Sequence, residues 1–91
     1  MSRYVKTPTE VLDYGWDWSR WLDGDQIQSA SWVIPTGLNL VSQSNDTAST
    51  TVWLSGGDLS TTYTITNRII TAAGRTAERV FDLRIIDRRY A

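Results

Sequence analysis

The sequence predicts an all-β domain, an antiparallel sandwich of about seven short strands, and three observations carry that expectation. Alternating apolar and polar runs recur along the whole chain, separated by breaks rich in glycine, proline and aspartate. No stretch keeps a helical period. Serine and threonine make up roughly a quarter of the residues, a composition that suits strands and turns better than helices.

Met1 to Glu10 has no apolar period and carries Pro8 between two threonines, so residues 1–10 are expected to form an extended arm. The sandwich proper is assigned to residues 11–87. In Val11 to Leu22, Leu12, Tyr14, Trp16 and Trp18 alternate with Asp13, Gly15, Asp17 and Ser19, which gives a strand with an aromatic ladder. Ser19-Arg20 interrupts the alternation before Trp21-Leu22 and points to a bulge or a single turn. Asp23-Gly24-Asp25 is a turn by composition. Its chemical rival is a calcium site drawing on Asp13, Asp17, Asp23 and Asp25, but the spacing lacks the EF-hand pattern and its closing glutamate.

Ile27 to Ile34 reads as the next strand, stopped by Pro35, which has no N–H for a ladder; Trp32 within it is the candidate packing tryptophan. Leu38 to Ser44 follows with Leu38 and Leu40 inward, then the polar loop Asn45-Asp46-Thr47. Ser49 to Leu54 sets Val52 and Leu54 on one face and Trp53 on the other, so Trp53 is expected outside. After the Ser55-Gly56-Gly57-Asp58 break comes a long hairpin, Thr61 to Ile86. Tyr63, Ile65, Ile69 and Thr71 share one face of its first strand, and Phe81, Leu83 and Ile85 share one face of its second. Between them Gly74 stands where a short loop needs a residue at positive φ. Tyr63, Ile65, Phe81, Leu83, Val52 and Leu40 are the expected core. Arg88-Arg89-Tyr90-Ala91 is left as a short tail, residues 88–91.

A chain of 91 residues makes one domain, and at this size only ~60 to 65% of the unfolded surface is buried, so partners are expected to add stability. There is no cysteine and no histidine, which removes disulfides, thiolate and imidazole metal ligands, thiol nucleophiles and the Ser-His-Asp arrangement. No cofactor is expected. A net charge of −1 argues against nucleic acid as a partner. No run nears the ~20 apolar residues of a membrane span, and the N-terminus lacks the regions of a signal peptide, so no membrane partner is expected either.

Five tryptophans and four tyrosines are more aromatic surface than a small two-layer domain easily encloses. Trp16, Trp18, Trp21 and Trp53 are therefore candidates for contacts with other chains. Charge adds a second hint. Residues 1–60 hold three basic and seven acidic residues, and residues 61–91 hold six and three, the six all arginines. Arginine's planar fork favours interfaces, so Arg84, Arg88 and Arg89, with Tyr90, are further interface candidates. The arginine-bearing end of one copy would meet the acidic region of the next in a ring or another symmetric assembly. The alternative is that the two halves neutralise each other within one molecule.

One detail narrows the fold. In immunoglobulin-like sandwiches a tyrosine near the start of the penultimate strand lies two residues before a cysteine, and its hydroxyl returns to the backbone just upstream. Tyr63 and Ile65 stand in those two places. The segments LDYGWDWSRWLDGDQI, TTVWLSGGDLSTTYTITNRIITAAGR and RVFDLRIID together resemble small tailed-phage proteins of the fiber-tail adaptor family, over Leu12 to Asp87. The resemblance implies an immunoglobulin-like, non-enzymatic structural domain of a phage or prophage particle. It would connect tail or head-neck components to fibers, with tail, neck or fiber subunits and copies of itself as partners. Its place would be the virion, assembled in the host cytoplasm. The alternative is a capsid or tail decoration, or a host-glycan-binding module that uses exposed aromatics. A hydrolase working through paired aspartates would need a cleft and a raised-pKa acid that so small a sandwich hardly provides.

Overall fold

The computed structural model describes residues 2–87. Seven strands and one short helix are present among them: β1 (Ser2–Lys6), β2 (Leu12–Asp17), α1 (Ser19–Leu22), β3 (Ile27–Val33), β4 (Leu38–Asn45), β5 (Ser49–Gly56), β6 (Thr62–Thr71) and β7 (Thr76–Ile85). They form two packed sheets, one ordered β1-β7-β6-β3 and the other β2-β5-β4. The protein is thus an all-β, two-sheet sandwich.

The β6–β7 hairpin is the longest element, pairing in unbroken antiparallel register from Thr62↔Arg84 to Ile70↔Thr76. Period-two alternation explains its inner face: Tyr63, Ile65, Ile69, Phe81, Leu83 and Ile85 are all buried. Gly74 closes the four-residue loop at φ +91°, and a side chain there would meet open space, so the backbone angle alone calls for glycine. Opposite, β5 contributes Val52 and Leu54, and β2 contributes Tyr14. A second buried cluster, Trp18, Leu22, Ile27 and Ile69, closes the other end under α1. Near the start of β6, the Tyr63 hydroxyl accepts a hydrogen bond from the Asp58 N–H at 3.0 Å. It lies over Gly37, where an added Cβ would stand 2.6 Å from the hydroxyl oxygen.

Three expectations change. Leu40 is not core: it is 39% exposed on edge strand β4, and Leu38 takes the inward place. Leu40 still pairs opposite Leu54, in register with Leu38, but it stands on an edge strand that borders solvent, just before a bulge between Leu40 and Ser42. Residues 1–10 are not simply an arm ahead of the sandwich, because β1 joins the first sheet, and it pairs with β7 in parallel. Two contacts fix it there. The Tyr4 ring packs 5.2 Å from Phe81 and 5.3 Å from Tyr14, and Lys6 is fully buried. Its Nζ donates to the carbonyls of Gly56 and Thr7. Burial lowers the Lys6 pKa, and the nearby Glu10 charge partly offsets this. Third, Trp18 is core, 1% exposed, and no longer a contact candidate.

The Leu40 and Leu83 assignments are separable by experiment. Leu83→Ala is expected to cost about 2 to 4 kcal/mol, through lost transfer energy and a cavity, whereas Leu40→Ala on the edge should cost well under half of that. Urea unfolding of the two variants checks it, and equal losses would mean that β4 is mispaired.

Candidate interaction surface

The aromatic ladder divides once the sheets pack. Trp18 sits between them, with its Nε1–H directed at Asn67 Oδ1 (3.1 Å) and Thr50 Oγ1 (3.3 Å). Thr50 Oγ1 donates to Asn67 Oδ1 at 2.7 Å, and Asn67 Nδ2 donates to the Ser31 carbonyl, so this buried polar group is satisfied. The Arg79 guanidinium lies 4.1 Å over the Trp18 ring. Trp21, half-buried, meets Trp18 edge-on at 5.5 Å and carries the Arg75 guanidinium 4.2 Å over its own ring. Trp16 is half-buried and stacked on Trp32 at 6.1 Å. Trp53 differs: it is 40% exposed on the outward face of β5.

The arginines divide in the same way. Arg75 donates through Nε and Nη2 to Asp25 Oδ2, both at 3.1 Å, and through Nη2 to the Leu22 carbonyl at 2.9 Å. This pair joins the acidic and basic halves of the sequence within one molecule. Asp25 also accepts from the backbone of Gln26 and Ala73. Its pKa is pulled down to about 2, first by a hydrogen bond with the Thr71 side chain and further by these groups and Arg75. The other aspartates of the calcium alternative do not gather around it. Asp17 Oδ1 accepts from the Ser19 N–H, and Asp13 stands on the outward face of β2 opposite Trp53.

Two outward faces remain. On the second sheet, Trp53 lies in register between Asp13 and Ser42, and no lysine or arginine occurs in β2, β4 or β5. On the first sheet, Val5, Arg84 and Thr62 form one cross-strand row and Glu78, Arg68 and Ser31 another. Arg84 Nη1 donates to Thr62 Oγ1 at 3.2 Å, and Thr64 Oγ1 donates to Asp82 Oδ1 at 3.1 Å. Tyr4, Val5, Thr62, Asp82 and Arg84 line a groove of about 470 Å³ on this face. Of the expected contact residues, Trp53 and Arg84 stand on open faces, Trp16 and Trp21 are half-buried, and Arg88, Arg89 and Tyr90 lie outside the described residues. Sequence reasoning missed Tyr4 and Val5, because a five-residue run with no apolar period gives no sign that it will pair.

With this geometry in hand, the comparison with known families is decisive: residues 6–84 match the podophage GP4 fiber-tail adaptor protein gp77. This chain belongs to that fiber-tail adaptor family. The match runs from the end of β1 to the penultimate residue of β7, so it takes in the outward face of β2-β5-β4 and, on the first sheet, all but most of β1. No curated protein matches the chain. Membership makes the chain a phage structural adaptor, a virion component whose partners include other tail proteins such as fibers.

The Asp25 pair carries a pH signature. A carboxyl whose pKa is lowered by folding stabilises the fold above its unfolded value near 4, and that contribution fades as pH falls toward about 2. Asp25→Asn is therefore expected to melt below wild type at pH 6 to 7, with the gap closing between about pH 4 and pH 2. Thermal melts by circular dichroism across that range test it; a gap that does not change with pH would dissociate the loss from ionisation.

Proposed function

We propose that this chain is a non-enzymatic connector in a tailed-phage particle, an immunoglobulin-like sandwich that joins tail or head-neck components to fibers. The observation that carries this reading is the open, cation-free outward face of β2-β5-β4 with Trp53 at its centre. An exposed tryptophan flanked by polar groups is the kind of anchor that dominates protein interfaces. The absence of histidine and cysteine supports a role without catalysis.

Strand order supports the immunoglobulin-like assignment. The second, fifth and fourth strands share one sheet and the third, sixth and seventh the other, as in constant-type immunoglobulin domains, with the first strand moved to the far sheet. The Tyr63 hydroxyl bonded back to Asp58 supports it again. Partners in this reading are tail, neck or fiber subunits and further copies of the chain, arranged with the symmetry of the tail and assembled in the host cytoplasm.

Particles assembled without the chain are expected to carry tails but no fibers in negative-stain micrographs. Fully fibered particles would overturn the connector reading. The exposed Trp53 indole also suits stacking on a sugar ring, which is the decoration or glycan-binding alternative. Binding on a glycan array, with fibers retained in particles lacking the chain, would favour that reading instead.

A further inference from the structure

The outward faces of the two sheets are chemically complementary to each other. Trp53 offers a large indole, 40% exposed, and Asp13 stands directly opposite it in the β2–β5 ladder. Among the described residues the Asp13 carboxylate has no ion-pair or hydrogen-bond partner. On the other sheet Arg84 is oriented by Thr62 Oγ1 and has no carboxylate partner among the described residues.

Each part of the groove matches a need of that indole. Val5, 44% exposed, and Tyr4, 39% exposed, supply apolar wall. An indole N–H that leaves water needs an acceptor, and Asp82 lines the groove with a carboxylate whose Oδ1 already serves Thr64. A guanidinium over the indole face adds a cation–π contact. The same pairing occurs twice inside this molecule, Arg79 on Trp18 at 4.1 Å and Arg75 on Trp21 at 4.2 Å. Size agrees as well: cavities of ~150 Å³ hold a benzene ring, and the groove is about 470 Å³.

We propose that these are the two halves of one contact between copies of this chain. The Trp53 indole of one copy seats in the Tyr4-Val5-Thr62-Asp82-Arg84 groove of the next, and Asp13 pairs with Arg84. Charge complementarity sets the direction, since the β2-β5-β4 sheet carries Asp13 and Asp17, both on β2, and no cations, while the strand arginines belong to the other sheet. The two halves lie on opposite faces of the sandwich, so neither can satisfy the other within a molecule. The contact is heterologous and repeats, closing into a ring or extending as a row. This deepens the connector reading, on which it rests for its place in a particle, but its test needs only the purified chain.

Sedimentation velocity of the full chain from micromolar to millimolar, at low and high salt, is the measurement. Wild type is expected to associate as concentration rises, and less so in high salt. Trp53→Ala and Arg84→Glu should each weaken association by about tenfold or more while keeping the wild-type circular dichroism spectrum and melting temperature. The decisive sample is their equimolar mixture. One variant keeps the groove and the other keeps the tryptophan face, so the mixture should give a dimer and nothing larger. Wild type that stays monomeric at every concentration, variants that associate like wild type, or a mixture that stays monomeric would each overturn the proposal. Loss of fibers from particles lacking the chain would stand apart from any of these results.

Discussion

The Trp18 indole N–H is the polar tie on which the packing of the two sheets depends. Its partners belong to different sheets, Thr50 on β5 and Asn67 on β6, and all three side chains are fully or almost fully buried. A buried polar group without a partner costs about 1 to 3 kcal/mol, so sliding one sheet over the other would orphan three groups together. Apolar packing alone tolerates such slides far better, because it is non-directional. The tie explains why a domain this small adopts one alignment of its layers.

Other features follow from placing that indole. The backbone N–H of Trp18 donates to the Ala48 carbonyl, which brings the β4–β5 connection beneath the start of α1. α1 then lays Leu22 into the second cluster and leaves Trp21 half outside, where Arg75 covers it. Arg75 in turn holds Asp25 and the Leu22 carbonyl, so the β6–β7 loop is stitched to the turn after α1. At the other end Lys6, Tyr63 and the glycines at 37, 56 and 57 do comparable work. The Gly57 N–H binds the Gly37 carbonyl, and Lys6 Nζ binds the Gly56 carbonyl. Both poles of the sandwich are therefore closed by internal contacts among the described residues.

Those faces differ because charge was sorted by strand. The buried and half-buried aromatics are already stacked, paired or capped by arginine, and one strand-borne indole is left exposed. A surplus of tryptophan in a small adaptor thus has two separate origins. Four build the core and its lid, and one marks a surface.

Period-two alternation was enough to read the hairpin from residues alone. It placed Tyr63, Ile65, Phe81, Leu83 and Ile85 inside, Trp53 outside, and Gly74 in the loop, because one buried face constrains every second residue of a central strand. The same alternation misled at Leu40, which keeps its phase opposite Leu54 but stands on an edge strand and is left 39% exposed. It could not show that Trp18 is core, since the groups that take its indole N–H, Thr50 and Asn67, come from two different sheets. Nor could it show β1, whose pairing depends on a β7 edge some eighty residues away in sequence, or the burial of Lys6, which requires carbonyls that converge only after folding. Local pattern therefore determined which residues face inward along each strand. Tertiary structure decided which aromatics and arginines satisfy one another and which are left exposed, because those contacts join strands that the sequence keeps far apart.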